Sequence, residues 1–228
     1  MTPKKSTHRS ATAAPRRAGR PSHPVPRELL VLAARRVFAR AGYAGASLSD
    51  IATEAGISKA TLLHHFGDKE ALYREVLTDV LGRLGSMILS GWTGPGDFLS
   101  RFDAVGSGVT RFLGANPGAA RLLMEELVRS EGGRLGPARE LVESTVRGLS
   151  RLLAEAMSSG ELPRQDPHQL ALSLAGLHLT YFAAVEVSAA LLQKDVHAAP
   201  LLAVREAAVV AQGRALCLAP RAHPPRSR

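Results

Sequence analysis

Residues 47–69 read SLSDIATEAGISKATLLHHFGDK, and their spacing predicts two short helices joined by a tight turn. Ser47 is a good N-cap, and Asp50 three residues on completes a capping-box pair. Leu48, Ile51, Ala52 and Ala55 recur at helical spacing as one apolar stripe. Gly56 falls where a left-handed C-terminal residue is expected, Ile57 supplies an apolar anchor, and Ser58 caps the second helix. In that helix Leu62 and Phe66 lie four apart and face inward together. A rotation of about 100° per residue then puts Ala60 and His64 on the outer side, flanked by Thr61 and Leu63. Lys59 stays at the N-terminus, where backbone N–H groups favour phosphate, and Ala60 is small enough for close approach to base edges. This is the layout of a helix-turn-helix that lays its second helix in the major groove of DNA. The competing reading is a solvated face on a small three-helix bundle.

The flanks carry a resemblance. The run AARRVFARAGYAGASLSDIATEAGISKATLLHHFGDKEALYREVL has Phe38 and Gly42-Tyr43 closing a first helix and Asp50-Ile51-Ala52 in the second. It has Ala55-Gly56-Ile57-Ser58 at the turn, then Thr61-Leu62, Phe66, and Lys69-Glu70-Ala71-Leu72 opening a fourth helix. From Arg27 to about Val80, about a quarter of the chain, it resembles the DNA-binding domain of the TetR family of transcriptional repressors. The resemblance implies DNA contacts from Ser47, Ser58, Lys59, Ala60, Thr61, His64, His65 and Lys69. Leu63 stands on the same interface as a departure: the family usually has a tyrosine there, commonly touching a phosphate. An all-α homodimer with a ligand-binding domain after the fourth helix is also implied.

Charge points the same way independently. Of 228 residues, 45% are hydrophobic, ample for a core, and the net charge is +9. Residues 1–40 hold ten Lys or Arg against the single Glu28, a net of +9, while residues 41–220 hold 16 against 19, a net of −3, and the tail from Arg221 adds +3. A polyanion partner at the N-terminal end accounts for this asymmetry. Residues 1–24, poor in large apolar side chains, are expected to be a disordered basic arm with no secretory apolar core. Within it, Arg16-Arg17-Ala18-Gly19-Arg20-Pro21 resembles an AT-hook core, so Arg16, Arg17 and Arg20 are candidates for the minor groove. A generic tail that adds sequence-blind, salt-sensitive affinity is the equal alternative.

The remaining pattern predicts an all-α chain of about nine helices, since strand-type alternation is absent. The organisation expected is a helix-turn-helix domain over 25–72, a fourth helix from about residue 69 as connector, a regulatory ligand-binding and dimerisation domain over 73–219, and a disordered tail over 220–228. The connector should run to about Leu89, and Gly91 to Gly96 break the chain. A fifth helix should span about Asp97 to Ala115, with Asn116 capping the sixth and Pro117 at its first position. Gly132-Gly133 and Gly136-Pro137 form a loop before a seventh helix to about Ser158, and Asp166-Pro167 opens the eighth. Pro200 opens the ninth.

The eighth helix is expected to be continuous through Leu170–Leu192, apolar nearly all round and as long as a membrane span. His178 and Glu186 would be costly in lipid, so a central soluble helix is favoured and no membrane partner is expected. Small residues, among them Ala171, Ala175, Gly176 and Ala183, allow close helix approach, which suits a homodimer through helices eight and nine. Such a dimer presents two reading helices to a palindromic operator in double-stranded DNA.

Candidate residues for an unknown small-molecule effector are Phe102, Phe112, Met124, His178, Tyr181, Phe182 and Glu186, with core packing the alternative for each. No phosphate loop, dinucleotide glycine pattern, nucleophile elbow or HExxH occurs, and His64-His65 diverge too far on a helix to share an ion. No catalytic residue, metal or cofactor is therefore expected. The single Cys217 suits a reducing bacterial cytoplasm, with the nucleoid as working place. A ligand-responsive repressor is the leading reading; an architectural DNA-binding protein without ligand sensing and, remotely, a helical-bundle enzyme are the others.

Overall fold

In a computed structural model, residues 25–128, 130–131, 134–135 and 138–218 are described. Among them ten helices form: α1 (Arg27–Gly45), α2 (Leu48–Glu54), α3 (Lys59–Phe66), α4 (Lys69–Trp92), α5 (Phe98–Ala115), α6 (Ala119–Val128), α7 (Arg139–Ser158), α8 (Pro167–Ala183), α9 (Val185–Leu192) and α10 (Ala199–Leu218). Two-residue strands, Ser130–Glu131 and Arg134–Leu135, pair antiparallel before α7. The basic arm with Arg16, Arg17 and Arg20, the four loop residues Gly132, Gly133, Gly136 and Pro137, and the tail over 220–228 lie outside the described residues.

Local chemistry sets the first three helices. The Ser47 hydroxyl accepts from the Asp50 N–H at 3.1 Å while the Asp50 carboxylate accepts from the Ser47 N–H at 3.2 Å, the reciprocal capping box. Gly56 takes φ +67° and lets the Ile57 N–H reach back to the Ala52 carbonyl at 3.0 Å. Ser58 caps α3 through the Thr61 N–H. Leu62, fully buried, and Phe66 then enter a cluster with Leu30, Phe38, Ile51, Leu72 and Tyr73. Each such side chain stabilises by about 1.5–3 kcal/mol.

Arg27 binds three helices together at one point. Its Nη1 donates to the His65 carbonyl at 2.6 Å, at the end of α3. Its Nε and Nη2 donate to the two Glu75 oxygens of α4, each at 2.8 Å. The guanidinium also lies 4.2 Å above the Phe66 ring. This contact holds the Glu75 carboxyl below its ordinary range, chiefly by the hydrogen bond.

Apolar packing continues through α4 into the body. One cluster runs from Leu30 through Leu72, Leu77 and Leu84 to Val105, Leu122 and Phe182. A second, with Phe98, Phe102, Leu153, Leu170, Leu174 and Cys217, closes the far end. Glu126, fully buried on α6, accepts from the Ala138 N–H at 2.7 Å and so caps the start of α7, which has no side-chain cap of its own.

Two local expectations are corrected. Asn116 caps the end of α5 rather than the start of α6: its Nδ2 donates to the Phe112 carbonyl at 2.7 Å, and α6 begins only after Pro117 and Gly118. The rod expected over Leu170–Leu192 is broken at Ala184 into α8 and α9, bent by 78°. At the bend the Ser188 hydroxyl donates to the Tyr181 carbonyl at 3.1 Å, the acceptor that a continuing helix would offer the Val185 N–H. No single helix among the described residues is long and apolar enough to cross a membrane.

Gly118 has φ +84°, and a Cβ there would sit 2.3 Å from the Ala39 Cβ of α1. Gly118→Ala should therefore lower stability by about 2–4 kcal/mol, read as a lower midpoint in urea; an unchanged midpoint would show that this approach is not constrained. Arg27→Ala should cost about 1 kcal/mol. Because the folded Glu75 carboxyl is depressed, its pairing contributes stability above its unfolded value and loses it as pH falls through the lower folded one. Acid titration of stability below about pH 4.5 should accordingly be shallower in Arg27→Ala than in the wild type; equal slopes would deny the pair that role.

Candidate nucleic-acid interface and internal cavity

The burial of Leu62 and Phe66 fixes which side of α3 meets solvent. Lys59, Ala60, Thr61, Leu63 and His64 are exposed along it, with His65 half-buried at the edge. The Thr61 hydroxyl is 2.8 Å from the Ser58 hydroxyl, so both belong to the cap that holds the N-terminal turn. Ser47 is exposed at the start of α2. Lys69, half-buried, places Nζ 4.5 Å above the Tyr43 ring and 3.5 Å from the Ala44 carbonyl, which anchors the start of α4 to the end of α1. The described interface candidates thus lie on α3 and at the starts of α2 and α4, with Ser47, Ser58 and Thr61 shaping helix starts. His64 and His65 stand with ring centroids 6.0 Å apart, and no group of three or more metal-ligating side chains occurs among the described residues.

Behind this unit lies a cavity of about 300 Å³ between α4, α5, α6, α7 and α8. Leu81, Leu84, Ile88 and Trp92 line it from α4; Phe102, Val105 and Val109 from α5; Leu123, Met124 and Leu127 from α6. Val142, Thr145, Val146 and Leu149 come from α7, and Leu172, Ala175, His178 and Leu179 are among those from α8. Its wall is almost wholly apolar. The Thr145 hydroxyl is taken by the Leu141 carbonyl at 2.9 Å. His178 is buried, with Nδ1 3.0 Å from the Leu174 carbonyl and Nε2 3.2 Å from the Gly106 carbonyl. Burial lowers its pKa, against the opposing pull of these two carbonyls.

Three of the seven ligand candidates, Phe102, Met124 and His178, share this cavity. The other four face elsewhere. Phe112 packs half-buried against the main core, and the Tyr181 ring lies under the Arg205 guanidinium of α10 at 4.5 Å. Phe182 is buried 6.0 Å from the His197 ring, and Glu186 is exposed in the first turn of α9. Sequence reasoning missed the α4 wall. Its signal was the apolar repeat of Leu81, Leu84 and Ile88 continuing past the helix-turn-helix unit, where a core for three short helices has ended. Trp92, the chain's single tryptophan, belongs to the same wall.

The cavity and the reading unit meet through α6. Met124 lines the cavity and also a cleft shared with Ala41, Gly42 and Ala44 of α1. Its neighbour Glu125 accepts from the Tyr43 N–H at 3.0 Å. Gly42 has φ +70° there, and a Cβ on it would meet the Glu125 carboxylate at 3.3 Å, so glycine permits both the turn and the approach. Tyr43 then packs on Phe38 and Tyr73 in an aromatic cluster. Cys217 lies apart, fully buried, its thiol pushed up to about 12 by burial, which leaves no reactive thiolate.

Residues 30–76 match the family model for bacterial regulatory proteins of the tetR family. The chain is 41% identical over 95 residues to the HTH-type transcriptional repressor KstR2 of Mycolicibacterium smegmatis, covering 37% of this chain and 46% of that one. It is 28% identical over 151 residues to the HTH-type transcriptional regulator RutR of Escherichia coli O157:H7, covering 63% of this chain and 68% of the relative. The matches to KstR2 and to the next relatives in similarity span less than half of those proteins' lengths. Among solved structures, the transcriptional regulator FadR from Bacillus subtilis in complex with stearoyl-CoA superposes with a TM-score of 0.68 at 19% identity, covering 85% of this chain and 99% of that one, which shows the shared fold. Residues 30–76 are thus similar to the N-terminal domain of bacterial regulatory proteins of the tetR family.

Proposed function

We propose that the protein is a ligand-responsive transcriptional repressor that binds a palindromic DNA operator as a homodimer and is released by an apolar small molecule. The observation that carries this reading is the pairing of an exposed helix face on α3 with a partly open apolar cavity, joined by α6. In this reading residues 25–72 read DNA and residues 73–219 sense the ligand and form the dimer. The bases are met by Ala60, Leu63 and His64, with Lys59 at the phosphates and Lys69 holding the helix end in place. Nothing in the reading requires bond-making chemistry, a metal or a cofactor, and its setting is the cytoplasm.

Dimerisation through α8 and α10 is supported by exposed apolar side chains in that region. Val204 on α10 is 64% exposed, and α9 buries none of its residues in the protomer, with Leu191 82% exposed. A second copy removes such surface from water. The wall of the cavity offers almost no free hydrogen-bonding group, so the ligand, or the part of it that enters, is hydrocarbon-like. The stearoyl-CoA held by the similarly folded B. subtilis regulator is one molecule with such a part.

Control then follows from differential binding alone. A ligand that displaces Met124 moves Glu125, and with it the Tyr43 backbone to which α1 and the Lys69 end of α4 are attached. The spacing of two reading helices changes, and affinity for a fixed operator falls. The ligand can lower affinity only by the difference between its binding to the two arrangements.

His64→Ala should weaken binding to a selected operator more than to random duplex, whereas Lys69→Ala should weaken both alike, as measured by fluorescence anisotropy. Equal losses for His64→Ala on both duplexes would remove that side chain from base reading. The neutral apolar fluorophore N-phenyl-1-naphthylamine should quench Trp92 on binding and reduce operator affinity, and Glu125→Ala should keep the quenching while losing most of the reduction. Operator release that persists undiminished in Glu125→Ala would contradict the α6 route.

A further inference from the structure

The reading helix lacks the usual vocabulary of base recognition. Bidentate contacts to bases come from Arg or Lys on guanine and Asn or Gln on adenine, with Asp or Glu accepting from cytosine. Residues 59–66 are KATLLHHF, which contain no Arg, Asn, Gln, Asp or Glu. Lys59 is the first residue of the helix, where its ammonium and the adjacent N–H groups suit phosphate. The Thr61 hydroxyl is already bonded to Ser58 within the cap, 2.8 Å away. His65 is half-buried, and its carbonyl is held by Arg27. The polar group left free to face base edges is His64.

What remains on this surface is apolar. Leu63 is 37% exposed, the one large hydrophobic side chain that α3 presents to solvent. Ala60 lies three residues before it, an adjacent position on the helix surface, and is also exposed. Together they make a short hydrocarbon strip beside His64. In the major groove the base-edge group that rewards such a strip is the C5-methyl of thymine.

We propose that Leu63, with Ala60 beside it, is a specificity-determining contact that reads the methyl group of a thymine in each operator half-site. The contact has no hydrogen bond to give, so its discrimination comes from removing methyl and leucine surface from water together. Selectivity at that position is therefore for the methyl itself and not for the Watson–Crick partner. This inference rests on the DNA-binding reading above, and the experiment separates the two.

Duplexes are selected from a random library with the full chain, and each thymine of the selected half-site is replaced in turn by deoxyuridine, which removes only the methyl. One position per half-site should show affinity reduced about three- to fivefold on replacement, and replacing it in both half-sites should multiply the losses. In Leu63→Ala the loss at that position should vanish, while the penalty for exchanging a base pair that faces His64 persists. Leu63→Met, which keeps the apolar surface, should retain it. Because Leu63 is exposed, all variants should melt as the wild type does, which a thermal scan checks. A wild-type protein indifferent to deoxyuridine throughout, or a penalty that survives unchanged in Leu63→Ala, overturns the contact while leaving DNA binding intact. A chain that enriches no duplex overturns the DNA-binding reading and the contact with it.

Discussion

Leu62 and Phe66 bury one side of an eight-residue helix and thereby choose the other side for the partner. A helix this short is marginal alone, since nucleation costs more than a few hydrogen bonds return. Its stability is lent by the core beneath it, by the Ser58 cap and by Arg27, which bonds to the last turn and stacks on Phe66. Ala60, Leu63 and His64 are thus held on a rigid mount without taking part in holding it. That separation leaves the identity of Ala60, Leu63 and His64 unconstrained by the packing beneath them.

A second separation operates along the molecule. The same α4 stripe that seats the reading unit continues as Leu81, Leu84 and Ile88 into the cavity wall. On the other side α6 faces the cavity with Met124 and grips the end of α1 with Glu125. Two glycines, Gly42 and Gly118, permit those approaches to α1 where any side chain would collide or strain. Packed interiors pass on displacements because they have no slack. Two consecutive residues of α6 thus face the cavity and the end of α1.

The helix-turn-helix unit was legible in the sequence because its determinants lie within four residues of one another. The Ser47–Asp50 box, the Gly56 turn and the Leu62–Phe66 pair all belong to that class, and the capping box is present with both of its bonds. Contacts between distant residues left no such mark. Arg27 with Glu75, 48 residues apart, and Tyr43 with Glu125, 82 apart, depend on how helices are brought together. Helical periodicity also assigns a stripe to the interior without saying which neighbour it meets. Phe102 and Met124 therefore reached the cavity while Phe112 and Phe182 filled ordinary core. The bend at Ala184 escaped because neither glycine nor proline marks it; a serine hydroxyl substitutes for one backbone N–H. Asn116 had an equally good use on either side of it, and the structure uses the earlier one.

The central claim is that two copies of α3 enter neighbouring major grooves of one duplex. Dimethyl sulfate footprinting of the full chain on a selected duplex tests it most directly, because the reagent reports guanine N7 in the major groove. The expected result is two protected tracts related by two-fold symmetry and spaced about one helical turn apart or a little more. Uniform weak protection along the duplex, or a single tract from a solitary protomer, would contradict it.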